Sequence, residues 1–292
     1  MIITNKYNLP EVLIRFAQGK HYSRGDAHRS VTQLINSPRI VALEERHHEE
    51  LEQDISDVLF SLLGTATHYI LDKYSDESTV IREQRMFATV YGWRISGAMD
   101  RQEITAAGRI IEDWKVTSVY AVMNEKIDWE YQLNCYAFLV RLAGHRVCKL
   151  MINAVIRDWA KRNVGKVEGY PPAPLHQIEI PLWTFEEQEA FVKERIALHA
   201  ATVMDDPPLC TPDERWMKPS TWAVQKPGAK RALKVFLVES EAQEMVAEKK
   251  DLEVVHRPGV NTRCLNFCRV RQFCDFGKQL GESNEADSNS AS

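Results

Sequence analysis

The chain has 292 residues, with 37 Lys and Arg against 41 Asp and Glu and a formal net charge of −4. That length fits one large domain or one domain plus a small one. A composition of 44% hydrophobic and 27% charged residues is that of an ordinary globular protein whose core needs no cross-links. The charge excludes a polyanion binder that works by bulk charge, so any such partner needs a local basic surface or a bridging cation. The opening MIITNKYNLPEV lacks a basic segment followed by an apolar one, and no apolar run is long enough for a bilayer. The expected location is the cytoplasm, where thiols stay reduced.

No internal repeat is present, and the opening stretch is polar and mixed. From Ser30, SVTQLINSPR reads as a short helix with Ser30 as N-cap, stopped before Pro38. A longer helix is expected over roughly 54–74, where Ile55, Val58, Leu59, Leu62, Leu63, Ala66 and Ile70 recur at helical spacing. The period then changes: TVIREQRMFATVYG, WRISGAMDRQEI and RIIEDWKV read as three consecutive strands, with turn signals at Gly92 and Ala107-Gly108. A helix over about 127–144 and a strand in RVCKLMINAVIRDW follow. RNVGKVEGYPPAPLH is a Gly/Pro-rich loop, QIEIPL a short strand, and a helix runs from Thr184, with Glu187 three residues on, to about Met204. This order predicts an α/β or α+β fold with a mixed sheet. DDPPLCTPDERW interrupts the pattern, and Trp222 to about Arg257 reads as strand, strand, helix, strand. The expected division is a core over 1–204, a small C-terminal unit over 205–280, and a polar tail, 281–292, expected to be disordered.

The strand RIIEDWKV carries the first chemical signal. Alternate residues of a strand share a face, so Ile111, Asp113 and Lys115 point one way and Glu112 and Trp114 the other. A carboxylate and an ammonium on a half-buried strand cost free energy unless something there requires them; a cross-strand ion pair is the plainer alternative. The preceding strand ends in GAMD, which sets Asp100 near Asp113 if the two strands pair, and two such carboxylates repel unless a cation lies between them. Gly64 and His68 are one helical turn apart, so His68 is expected to project over a closely approached backbone. Gln132 and Tyr136 share a helix face at i and i+4. Glu83, flanked by Arg82 and Arg85, reads as a solvated strand residue and a weaker candidate for the same site.

His68, Gly97-x-x-Asp100, Asp113-x-Lys115 and Gln132-x-x-x-Tyr136, in that order and in helix, strand hairpin and helix, resemble the motifs of the PD-(D/E)XK nucleases, specifically the RecB-like exonuclease branch. The resemblance covers about Ser30 to Trp159. It implies a restriction-endonuclease-like core and divalent-metal-dependent hydrolysis of DNA. Asp100 and Asp113 are hard oxygen donors suited to Mg²⁺ or Mn²⁺. By resemblance His68 is a further ligand, as is the main-chain carbonyl of Trp114; the imidazole favours Mn²⁺. Lys115 is expected to position the attacking water and stabilise charge on the phosphate, with Gln132 and Tyr136 as an accessory pair. The function implied is a DNA exonuclease of recombination, repair or phage DNA processing, acting on a free DNA end, with a recombination or single-strand-annealing protein as partner. A structure-dependent endonuclease of the same fold and a non-catalytic nucleic-acid-binding protein are the alternatives.

Cys135 and Cys148 sit in apolar segments and read as small buried hydrophobes. Cys264, Cys268 and Cys274 form a C-x3-C-x5-C run, with Cys210 alone upstream, a pattern suggesting metal ligation in a reduced compartment. One distant cysteine with three C-terminal ones resembles the [4Fe–4S] staple of AddB-type helicase–nucleases and CRISPR adaptation nucleases. The lone cysteine, however, follows the nuclease motifs, and the first gap is three residues rather than two. The expected cofactor is [4Fe–4S], with Zn²⁺ as the alternative. Basic residues gather at Lys226, Lys230, Arg231 and Lys234 and at Arg263, Arg269 and Arg271, with Trp216, Trp222 and Phe267 as candidate stacking residues for a single strand.

Overall fold

The computed structural model describes residues 1–19, 24–74, 78–124, 126–204, 207–229, 231–249 and 251–280. The chain divides into two compact units, one of Met1–Ala42 with His48–Pro207 and one of Leu43–His47 with the residues from Pro208 onward.

In the first unit the opening stretch, for all its polar composition, forms β1 (Ile2–Thr4) and α1 (Glu11–Gln18). After β2 (Arg29–Ser30), α2 (Val31–Ile35) starts on a capping box: Ser30 Oγ accepts from the Gln33 N–H, and Gln33 Oε1 accepts from the Ser30 N–H. Pro38 does more than stop that helix. It opens α3 (Pro38–Arg46), whose residues from Leu43 on belong to the second unit, at a first-turn position that needs no N–H partner. β3 (Glu52–Asp54) pairs in parallel with β1, and Asp54 leads into α4 (Ile55–Tyr74), accepting from the Ser56 N–H.

Then come β4 (Val80–Val90), β5 (Trp93–Thr105) and β6 (Gly108–Thr117), followed by α5 (Val119–Met123), α6 (Ile127–Leu142), β7 (Val147–Ile156), β8 (Leu175–Ile180) and α7 (Phe185–Met204). β4 and β5 meet through a two-residue turn in which Tyr91 and Gly92 both have positive φ, 49° and 76°, as a tight hairpin of the favoured twist requires. The sheet runs β2-β5-β6-β7-β8, with β4 on the other edge of β5. β5–β6 and β7–β8 are antiparallel, while β2–β5 and β6–β7 are parallel. The unit is therefore α/β with a mixed central sheet flanked by helices.

Ile111, Leu150 and Ile152 from the sheet are fully buried with Leu133 and Phe138 of α6. α6 reaches β5 because Gly97 has no side chain: a Cβ there would lie 2.8 Å from both Leu139 and Tyr136. The sheet also splits. β2 occupies one edge of β5 as far as Ser96 and β6 resumes that edge at Arg101, so Gly97 to Asp100 have no ladder partner on that side. Such a split leaves backbone donors and acceptors pointing at whatever occupies the gap.

The second unit carries β9 (Met217–Lys218), β10 (Thr221–Gln225), β11 (Lys234–Phe236), α8 (Glu239–Ala247), β12 (Glu253–Arg257), β13 (Val260–Asn261) and α9 (Thr262–Asn266). Its sheets are β11-β10-β12 and β13-β9. Lys230 and the tail 281–292 lie outside the described residues. Among the described residues no helix is long and apolar enough to cross a membrane.

Candidate metal centre and cysteine cluster

Five elements of the first unit meet where β5 and β6 part. α4 supplies His68, β4 Glu83, β5 Asp100, β6 Asp113 and Lys115, and α6 Gln132 and Tyr136. The His68 Nδ1 lies 3.5 Å from Glu83 Oε1 and 3.6 Å from Asp100 Oδ2. These three side chains offer ligand atoms that all fall within 4.8 Å of one another. Beyond Glu112 the β5–β6 ladder has no further rung, and the Trp114 N–H donates to Asp100 Oδ2 instead, at 2.7 Å. Trp114 thus meets the site through its backbone amide. Asp113, 2% exposed, accepts from Gln132 Nε2 at 3.3 Å on Oδ1, and Gln132 is itself 2.8 Å from the Tyr136 hydroxyl. Lys115 Nζ is 2.7 Å from the buried Asp113 Oδ2, a close ion pair.

Electrostatics follow from this crowding. Burial first, and the Asp113 carboxylate second, push the Asp100 carboxyl up to about 7. A hydrogen bond to Glu83 raises His68, burial opposes it, and the Asp100 charge adds to the rise. Burial pulls Lys115 down, but Asp113 and then Asp100 more than offset it, leaving the amine above its ordinary value and charged at neutral pH. The cluster is a buried concentration of negative charge that one lysine and one histidine offset only in part. The donor set, carboxylates plus one imidazole, fits a hard divalent cation.

Glu83 needs a correction to the sequence reading. It faces His68 rather than bulk solvent alone, and its backbone is strained, with φ at +45° in mid-strand. Arg82 opposes Arg101 and Gln84 opposes Met99, so Glu83 and Asp100 share the one rung that the β4–β5 ladder skips. Residues 95, 96, 97 and 99 of β5 are buried and then 102, so simple alternation does not hold through this stretch. The register is the same on both sides of that rung, so neither strand carries an extra residue there. A signal for this placement existed: counting back from a two-residue turn at Tyr91-Gly92 sets Glu83 opposite Asp100. Gly64 is corrected too. No atom comes within 4 Å of a Cβ built there, so the close backbone approach belongs to Gly97 instead.

In the second unit the four cysteines lie near enough to influence one another's ionisation. Burial first, then the neighbouring Cys268, Cys210 and Cys274, push the Cys264 thiol up to about 11. Cys268 is raised by burial and by Cys210 and Cys274, against the pull of the Val270 N–H and Arg263. Thiols that raise one another suit a cation that takes them as thiolates. Cys135 is buried in α6, while Cys148 is half-buried, its thiol 3.5 Å from the Arg109 carbonyl. Trp216 and Phe267 are exposed, but Trp222 is half-buried in β10 with its ring 5.2 Å from that of His256, so it is not an open stacking residue.

No protein-family model matches the chain, and no curated protein matches it. Among solved structures the chain is similar to one titled "Crystal structure of SSO0001", with 17% identity over 70% of this chain and 85% of that one and a TM-score of 0.45.

Proposed function

We propose that this protein is a divalent-metal-dependent deoxyribonuclease of the PD-(D/E)XK class, RecB-like branch, working as an exonuclease in recombination, repair or phage DNA processing. The observation that carries this reading is the meeting of His68, Glu83, Asp100, Asp113 and Lys115 at the split between β5 and β6. A scaffold or a simple binder has no use for two mutually repelling buried carboxylates.

Asp100, Asp113, His68 and Glu83 would hold Mg²⁺ or Mn²⁺, the imidazole favouring Mn²⁺. Bound there, the cation supplies Lewis acidity toward the phosphoryl oxygens and an acidified water. The chain's own groups do the rest. Lys115 is a charged donor, suited to orient the attacking water and to stabilise negative charge on the scissile phosphate, and not a general base. Gln132, anchored by the Tyr136 hydroxyl, keeps Asp113 aimed. The Trp114 amide does the same for Asp100. Cys210, Cys264, Cys268 and Cys274 would hold a [4Fe–4S] cluster, with Zn²⁺ the competing occupant of the same thiolates.

The test is cleavage of end-labelled linear DNA and of a covalently closed circle with Mn²⁺, beside an EDTA control. The expected result is metal-dependent loss of the linear substrate and a resistant circle. Cutting of the circle would make the protein an endonuclease. No cleavage of either would leave only the binding role. Metal analysis of anaerobically purified protein decides the second site: iron with sulfide is expected, and one zinc per chain would overturn the iron–sulfur assignment.

A further inference from the structure

Trp216 and Phe267 stand out in the second unit as large aromatic rings left exposed side by side. Phe267 is 62% exposed and Trp216 43% exposed, although both would gain by burial. Their ring centroids are 5.4 Å apart at 55°, an open wedge in which neither ring covers the other's face. The Arg263 guanidinium lies 5.4 Å from the Trp216 ring centroid and is tied by its Nη1 to the Glu214 carbonyl at 3.1 Å.

The backbone also holds this wedge under strain. Trp216 has φ +51°, a left-handed conformation unfavourable for a bulky residue. Surrounding bonds enforce it. Thr211 and Glu214 cap each other, with the Thr211 N–H on Glu214 Oε2 and the Glu214 N–H on Thr211 Oγ1. The Trp216 N–H reaches the Asp213 carbonyl, and the Arg263 N–H the Arg215 carbonyl. On the other side Phe267 sits between Cys264 and Cys268, its N–H on the Arg263 carbonyl. A turn built this tightly to keep an indole in water points to a ligand.

Charge says which kind. Between Pro208 and Leu280 the sequence has 13 Lys and Arg against 9 Asp and Glu, in a chain that is acidic as a whole. Two exposed, rigid aromatic faces with an arginine over one of them, on the basic part of an acidic protein, match the stacking platforms that take unpaired bases.

We propose that Trp216 and Phe267, with Arg263, form a base-stacking platform that binds single-stranded DNA. The proposal extends the nuclease reading by naming the strand state the protein grips, and rests on that reading only for the choice of DNA. A base stacked on an aromatic ring contributes about 1–3 kcal/mol, so about a tenfold change in affinity per ring is expected. The experiment uses the full-length protein with Asp113→Ala, so that the probe survives. Binding is measured by anisotropy to fluorescein-labelled dT20, to an abasic strand of the same length, and to a 20-base-pair duplex. The abasic strand keeps every phosphate but offers nothing to stack.

The expected result is dT20 bound at least about tenfold tighter than the abasic strand and the duplex. Trp216→Ala/Phe267→Ala should bring dT20 down to the abasic level, and Trp216→Phe should restore most of the difference. Equal affinity of the parent protein for dT20 and the abasic strand would overturn the platform, and this arm stands even if the double variant fails to fold. Unchanged dT20 binding by a folded double variant, judged by circular dichroism, would overturn it as well. Cleavage assays on the unmutated protein separate the two readings. DNA cut without base-dependent binding sinks the platform alone, and base-dependent binding without cutting sinks the nuclease alone.

Discussion

The two units organise their chemistry in opposite ways. In the first, a mixed sheet over a continuous apolar core fixes seven polar side chains from five elements, and the strand split between Gly97 and Asp100 makes the room they need. In the second, strands of two to five residues and short turns surround four cysteines, with few fully buried side chains: Ala223, Val224, Ala242, Val270 and Cys274 are among them. A small unit with so little apolar burial would gain stability from the cross-linking metal proposed for its cysteines. On the proposed assignments, metal-ligating side chains would be a consequence of the fold in one unit and a condition for it in the other.

Removing the cysteine ligands should break this contrast most sharply. Cys264→Ser/Cys268→Ser is expected to strip the metal and unfold the second unit, at a cost on the order of 10 kcal/mol, the scale of a structural metal. The first unit should keep its own melting transition, read by calorimetry or by hydrogen exchange on α6. If both units melted together, the contrast would be wrong.

Within the first unit, Asp113→Ala should lower divalent-dependent cleavage by at least about 10²-fold while leaving the fold intact by circular dichroism. Gln132→Ala should cost about 10–100-fold, as expected for a group that aims a ligand. Near-full activity in either variant would separate the cluster from catalysis.

A third expectation concerns pH. His199 is fully buried on α7, with Nε2 donating to the Leu34 carbonyl at 3.1 Å and Nδ1 accepting from Arg29 at 3.4 Å. Burial holds its pKa down at about 4 against an ordinary 6.5. The unfolded chain therefore takes up the proton first as pH falls. Stability is fully present above about 6.5 and is lost down to about 4, by up to about 3 kcal/mol. Melting temperatures across that window should fall more steeply for the parent than for His199→Gln. Equal slopes would remove His199 from the account.

The smallest effect is expected at Gly97. Gly97→Ala sets a Cβ against Leu139 and Tyr136 and should destabilise the first unit by about 1–3 kcal/mol, a drop of several degrees in its transition. The same substitution at Gly64, where a Cβ meets nothing within 4 Å, should leave that transition unchanged or raise it.

Much of this was legible in the sequence because the first unit is written in long periods. α4, the three strands β4 to β6, α6 and β7 announce themselves by apolar spacing, and D-x-K on a β-branched strand singles out Asp113 and Lys115. The illegible parts have physical reasons. β1 depends on pairing with β3 some fifty residues away, and α1 has no fully buried residue to set a clear core face. α3 starts on a proline, which reads as a stop unless its place in the first turn is known. Glu83 was harder to read because its backbone is left-handed in mid-strand, which an alternating pattern does not announce. His68 lies beside Asp100 and Glu83, although nothing approaches Gly64 closely.

The central claim is that one cation sits among side chains contributed by α4, β4, β5 and β6. Anomalous diffraction from a crystal soaked in Mn²⁺ tests it without any assay of activity. A single strong peak within bonding distance of Asp100 and Asp113, with His68 or Glu83 completing the shell, is the predicted result. Manganese bound elsewhere, or nowhere, with these side chains still packed as described, would contradict it.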